Sequence, residues 1–317
     1  MPVGATTILG GAPVWLWVLF HFVVFVLLGA DFFLTRDALS PATIERRSYG
    51  LTGAWIAAAL LFAWLMVRVL TLRYGLEYLT GYGIEEALSI DNLFVFLVLF
   101  RAFRLPPASQ RRVLFFGVLG AILMRALMIA AGIRLLQAFT WTNYIFGAIL
   151  IYTAAHLLRN SAGSPQERTP RWIGRLTRHL SVTTKDHETR FLTRKNGSLR
   201  ATPLLLALIA IEGTDAVFAT DSVPAVLAVS HHPFVVYSSN IFAVLGLRSL
   251  YFTLAAALER LQKLRYGLAA ILIFVGGKMM LTRVVDVPIW VSMSVLATAV
   301  GTTVVWSLLS EPAAVQD

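Results

Sequence analysis

No cysteine occurs among the 317 residues of this chain. Disulfides, thiolate metal ligands and cysteine nucleophiles are therefore excluded, and whatever binds is held through oxygen or imidazole. Charge is scarce too: 14% of the residues are charged and 57% are hydrophobic, with a mean hydropathy of +0.73. A soluble domain carries roughly 25% charged residues, so a membrane is the natural solvent for this one. A Gly-rich phosphate loop is missing, which leaves a nucleotide, flavin or heme site without support. The first thirteen residues hold no Lys or Arg. Without that positive leader, the apolar run ending near Phe33 reads as a retained first helix and not as a cleaved signal peptide.

What is present is a series of apolar stretches of about 18–25 residues, the length a spanning helix needs. The pattern predicts an all-α membrane protein of about nine transmembrane helices, at about 13–33, 51–72, 79–100, 113–135, 141–158, 202–229, 235–257, 266–282 and 287–309. One long connection, 159–200, is polar and basic and reads as a flexible or weakly helical cytoplasmic loop. With the N-terminus outside, the inner loops hold 20 Lys and Arg and the outer segments 4. That bias fixes the orientation and puts the C-terminus inside. The formal net charge of +10 then reflects loops beside membrane helices and not a nucleic-acid surface.

Two acidic motifs lie inside apolar segments and resemble one another. One is Glu85-Glu86-Ala87-Leu88-Ser89-Ile90-Asp91-Asn92-Leu93, the other Asp215-Ala216-Val217-Phe218-Ala219-Thr220-Asp221-Ser222-Val223. A carboxylate at the bilayer centre costs about 2.5–3.5 kcal/mol or more, so it faces a partner, a cavity or an ion. The likeness continues downstream. Gly117-Val118-Leu119-Gly120 precedes Arg125, and Ala243-Val244-Leu245-Gly246 precedes Arg248. Ala148-Ile149-Leu150-Ile151-Tyr152-Thr153-Ala154-Ala155-His156 matches Ala270-Ile271-Leu272-Ile273-Phe274-Val275-Gly276-Gly277-Lys278. Three helices per unit is an odd number, so the second unit enters the membrane inverted, a plan common among secondary transporters. The expected organisation is an N-terminal two-helix segment (1–75), a first three-helix repeat (76–158), the basic loop (159–200), a second, inverted repeat (201–283), and a C-terminal helix and tail (284–317).

Glu212 and Asp215 share a helical face. Glu85 and Asp91, like Asp215 and Asp221, are separated by about 9 Å of rise and roughly 120° of rotation, too far to chelate one ion on a straight helix. Gly81, Gly83, Gly213 and Pro224 are therefore expected to kink or unwind the two motif helices. Ser89, Asn92, Thr214, Thr220 and Ser222 add neutral oxygens. Carboxylate, amide and hydroxyl donors without thiolate suit Mg, Ca or Mn. Carboxylates also take up protons, which makes proton exchange a natural counter-reaction.

On these motifs the chain resembles the TerC family of integral membrane proteins, named for tellurium resistance and related to manganese exporters and LysE-type transporters. The resemblance rests on Glu85, on Leu88 through Val95, and on Glu212, Asp215, Phe218-Ala219, Asp221-Ser222 and Pro224-Ala225. Asn240 through Ala243 and Gly246 through Phe252 add to it, and the likeness covers roughly 13–309. It implies a multi-pass protein of the bacterial cytoplasmic (inner) membrane that exports Mn²⁺ in exchange for protons. The site residues it implies are Glu85, Asp91, Asn92, Glu212, Asp215, Asp221 and Ser222, with Glu86 able to replace Glu85. Mn²⁺ is cargo, and no permanently bound cofactor is expected. The remaining partners are protons, membrane lipid and a possible second copy in an oligomer.

Each feature also has a plainer reading. Asp91 and Asp221 can form internal salt bridges with Arg125 or Arg248, which read as structural locks or gates. Lys278 can snorkel or act as an internal counter-ion. His21 reads as a hydrogen-bonded core histidine, and His231-His232 as an ordinary outer loop. Trp15, Trp17, Trp141 and Trp290 read as interface anchors. Three other functions compete: a membrane scaffold assisting the folding or metallation of exported proteins, export of an amino acid or oxyanion, and a di-aspartyl protease. The protease lacks its Tyr-Asp and Gly-x-Gly-Asp runs here, and no enzyme activity is expected.

Overall fold

The computed structural model describes residues 8–36, 41–103, 105–159, 191–195, 198–254, 263–282, 284–285 and 287–309. Among them are nine α-helices: α1 Val14–Arg36, α2 Pro41–Val69, α3 Leu72–Ala102, α4 Pro107–Ala138, α5 Thr142–Arg159, α6 Pro203–Leu227, α7 Pro233–Leu254, α8 Leu264–Met280 and α9 Ile289–Leu309. Each falls on a segment expected from apolar periodicity, and the architecture is that of an all-α membrane protein. Five helical stretches, Val14–Phe33, Arg47–Val69, Ser109–Ala138, Pro203–Leu227 and Ile289–Ser307, are long and apolar enough to cross a bilayer.

Helix starts differ from the expected ones in an orderly way. α2, α4, α6 and α7 all begin at a proline. Proline suits the first helical position, where its missing amide has no partner to lose. At α6 the preceding Thr202 adds a side-chain cap, its hydroxyl accepting from the Leu205 amide at 3.4 Å. Periodicity alone places the starts of α2, α3 and α4 later, because their first turns carry polar and charged residues.

Two features depart from expectation. The basic loop contains a short antiparallel hairpin, β3 (Leu192–Lys195) with β4 (Ser198–Ala201), in the register Lys195↔Ser198. The residues between, Asn196-Gly197, are the strongest two-residue hairpin signal. A second hairpin, β1 (Ile8–Leu9) with β2 (Ala12–Pro13), turns on Gly10 and Gly11, both at positive φ. Residues 160–190 of the loop lie outside the described ones.

Unwinding of the motif helices is not observed: α3 and α6 are continuously helical through both motifs. The glycines of α3 serve close packing instead. A Cβ at Gly81 would sit 3.0 Å from Ser239 Oγ on α7, and one at Gly83 would sit 2.8 Å from Leu296 on α9. Pro224 lies inside α6, where it removes the amide that would donate to the Thr220 carbonyl, yet the helix runs on through Leu227.

The helices pack crosswise. α3 lies against α7, α4 against α6, and α5 against α8. α1 and α2 flank one side, and α9 rests on α8 and α3. Where α5 meets α8, Gly147 and Gly276 face each other so closely that a Cβ on either would be 2.8 Å from the other's carbonyl oxygen. Small residues of this kind let membrane helices approach closely. Phe22, Phe25, Phe33, Trp64, Trp290 and Val305 remain exposed, an apolar exterior suited to lipid.

Candidate functional site

α3 and α4 bring Glu85 and Arg125 to the centre of the bundle, and α6 and α7 bring Asp215, Ser222 and Asn240 to the same point. All five side chains are buried, with Glu85 and Arg125 at 0% exposure. Arg125 closes a fork on Asp215, Nη2 donating to Oδ1 at 2.9 Å and Nε to Oδ2 at 3.3 Å. Its Nη1 donates to Glu85 Oε1, to Asn240 Oδ1 at 2.9 Å and, weakly, to Ser222 Oγ at 3.4 Å. Asn240 completes the ring by donating from Nδ2 to Glu85 Oε2 at 2.8 Å. Two carboxylates thus share one guanidinium, and the cluster keeps one formal negative charge. In so dry a place a charge survives only when paired and hydrogen-bonded.

Glu212 sits one turn before Asp215 and faces α4. Its carboxylate lies over Gly120, where a Cβ would collide with it, and Oε1 has no hydrogen-bond partner. Beside it is a cavity of about 20 Å³, walled by Phe96, Leu114, Val118 and Ile211 and reached by Glu212 and Asp215. That volume admits about one water-sized occupant. Across the bundle, Glu86 takes a matching position: a Cβ at Gly246 on α7 would be 3.2 Å from Glu86 Oε1, which is likewise buried without a partner. So α6 lays a carboxylate on a glycine of α4, and α3 lays one on a glycine of α7.

The remaining expected residues lie elsewhere. Asp221 faces α5, where Thr153 Oγ1 donates to it at 2.9 Å. It is therefore not Arg125's partner; that place belongs to Glu85 and Asp215. Asn92 is buried with Oδ1 unpartnered and is not joined to the Arg125 cluster by a hydrogen bond. Asp91 lies on α3 and Arg248 on α7, with both side chains outside the described ones. Among the described residues no three His, Asp or Glu side chains gather at metal-ligand spacing. The physical reason at the centre is that Arg125 stands between the carboxylates.

Asn240 belongs to a run read for family likeness and was assigned no role by its sequence. A lone amide amid Ile241, Phe242 and Ala243 must find buried partners, and that demand is the signal that could have marked it. His21 is hydrogen-bonded as expected but only half-buried, Nδ1 at 2.8 Å from Trp17 O and Nε2 at 3.2 Å from Tyr237 Oη. Lys278 donates to Ser292 Oγ on α9 at 3.2 Å. In the loop before α7, His232 packs on Gly11 of the first hairpin, and burial lowers its pKa below the ordinary histidine value.

A family model described as "Integral membrane protein TerC family" matches residues 70–314. A protein of Salmonella typhi described as "Putative membrane-bound redox modulator Alx" is 42% identical over 297 residues, covering 90% of this chain and 91% of its own. Its counterpart in Escherichia coli (strain K12) shows the same identity and coverage. An "Uncharacterized membrane protein STKORF319" of Myxococcus xanthus is 43% identical over 267 residues, 83% of each chain. No solved structure matches.

Proposed function

This chain belongs to the TerC family of integral membrane proteins, and from that premise we propose that it exports a hard divalent cation, Mn²⁺ foremost, by alternating access with protons returning. In this reading all nine helices span the bacterial inner membrane, with the N-terminus outside and the C-terminus inside. The units 76–158 and 201–283 are the inverted repeats. The crosswise packing supports that plan: a two-fold relation between units exchanges the pair α3–α7 with α4–α6 and maps α5–α8 onto itself.

The observation that carries the proposal is the convergence of Glu85 and Asp215, one from each acidic motif, on a single buried cationic point. Carboxylates with amide and hydroxyl oxygens are the donors a hard divalent cation prefers. A site built from both units is also one that their relative rocking would open to either side in turn. Glu212, on the cavity, offers the ion a first contact, and Asp91, Asn92, Asp221 and Ser222 supply further oxygens along its course. The redox description of the Alx relatives is theirs. Without cysteine, this chain has no thiol–disulfide chemistry of its own to contribute.

The test is Mn²⁺ uptake into inside-out vesicles under a proton gradient, wild type against Glu85→Gln and Asp215→Asn at matched protein levels. Wild-type accumulation with failure of both variants is the expected result. Equal behaviour of all three would leave the carboxylates structural and favour the scaffold reading.

A further inference from the structure

Three oxygens from three helices converge on one nitrogen atom, Arg125 Nη1. They are Glu85 Oε1 from α3, Asn240 Oδ1 from α7 at 2.9 Å and Ser222 Oγ from α6 at 3.4 Å. A carboxylate, an amide carbonyl and a hydroxyl make an oxygen nest of the type that holds a hard cation. The nitrogen filling it arrives on a side chain from the fourth helix, α4, and is wholly enclosed. The cavity beside Glu212 reaches Asp215, the carboxylate on which the same guanidinium closes its fork.

Resting on the export reading, we infer that Arg125 is a tethered stand-in for the transported cation. Nη1 occupies the cation's place, guanidinium and metal exclude one another there, and Asn240 is a cation ligand together with Glu85. Charge decides the exchange. Glu85 and Asp215 carry two negative charges, so the guanidinium leaves one uncompensated and a divalent ion leaves none. An arriving dication is therefore the better partner, and its departure must not leave two bare carboxylates in a dry interior. Arginine stays protonated under all physiological conditions, which makes it a dependable replacement during the return of the empty carrier. A guanidinium that merely locks the helices together would make no such trade with metal.

The experiment measures equilibrium Mn²⁺ binding to full-length protein in lipid nanodiscs, and Mn²⁺ flux in vesicles, for wild type, Arg125→Gln, Arg125→Lys and Asn240→Ala. A tethered competitor lowers apparent affinity by the fraction of time it leaves the site free, so Arg125→Gln should bind about tenfold tighter or more. Arg125→Lys, which keeps the charge but loses the fork on Asp215, should fall between Arg125→Gln and wild type. Flux should decrease in both, because the empty site can no longer reset. Loss of a ligand oxygen should weaken binding in Asn240→Ala by about tenfold or more. Folded Arg125 variants that bind Mn²⁺ no better than wild type overturn the inference, and Arg125→Lys decides the matter if Arg125→Gln does not fold. Wild-type affinity in Asn240→Ala removes Asn240 from the ligands. Wild type that neither binds nor moves Mn²⁺ overturns the export reading itself, an outcome distinct from the other two.

Discussion

Glu212 owes its position to a hydrogen atom. On α4 only the absence of a Cβ at Gly120 lets the carboxylate lie against the helix backbone, with Oε1 left free of hydrogen bonds beside the cavity. Gly117, one turn earlier, is different: a Cβ there would meet Ile211 at 3.5 Å and the Glu212 carboxylate at 3.6 Å, ordinary contacts. The two glycines thus make a controlled comparison. Gly120→Ala should push the Glu212 carboxylate out of its place and lower Mn²⁺ uptake with little change in melting, because only the tip of a flexible side chain has to move. Gly117→Ala should retain wild-type uptake and melting. Uptake assays and thermal unfolding in detergent on the two variants check both statements; equal uptake would detach Glu212 from transport. The sequence marked both glycines as part of a repeated small-residue stretch. It did not distinguish them, because which one faces Glu212 depends on how α4 is rotated against α6.

Among whole elements, the α5–α8 contact is a mutual backbone approach, with each of Gly147 and Gly276 against the other's carbonyl oxygen. A carbonyl cannot swing aside as a side-chain tip can. Gly276→Ala should therefore separate the two helices and lower stability by about 1–3 kcal/mol, read as a lower melting temperature in detergent. Gly277, which has open space around its Cβ position, should accept alanine without that loss. Helix existence was legible throughout, since apolar periodicity marked all nine segments. The starts of α2 and α4 were misplaced because apolar pattern was weighed above Pro41 and Pro107. Both hairpins were missed. Asn196-Gly197 and Gly10-Gly11 carry standard turn signals, but the strands beside them are only two to four residues long, too short for an alternating pattern to stand out.

For the whole molecule, the absence of cysteine turns a compositional curiosity into a tool. Any single introduced thiol is the only one present, so membrane topology can be read by labelling. In the proposed topology, His231→Cys should react with an impermeant thiol reagent from the outer face, and Ser164→Cys only from the inner face. Both thiols labelling from one side would contradict the topology and, with it, the inverted relation of the units. The same expectation follows from the 20-to-4 distribution of Lys and Arg, which reports how the chain is inserted and not how its helices pack.

Composition and pattern alone determined that this is an all-α membrane protein, where its helices lie, and which carboxylates are out of place in an apolar surrounding. These are properties of local sequence and of transfer between water and lipid, and both act before any two helices meet. Only the tertiary structure decided which acids share a site. Helical spacing showed that Glu85 and Asp91, or Asp215 and Asp221, do not meet on a straight helix, and it led to an expectation of broken helices. The chain instead keeps α3 and α6 intact and joins Glu85 to Asp215 across the bundle through Arg125, with Asn240 closing the ring. Asp221 turns to Thr153 on α5. The physical reason is that a buried ion is stabilised by whichever opposite charge the packing brings within hydrogen-bond reach, and that distance is set by the crossing of four helices and not by the order of residues along any one of them.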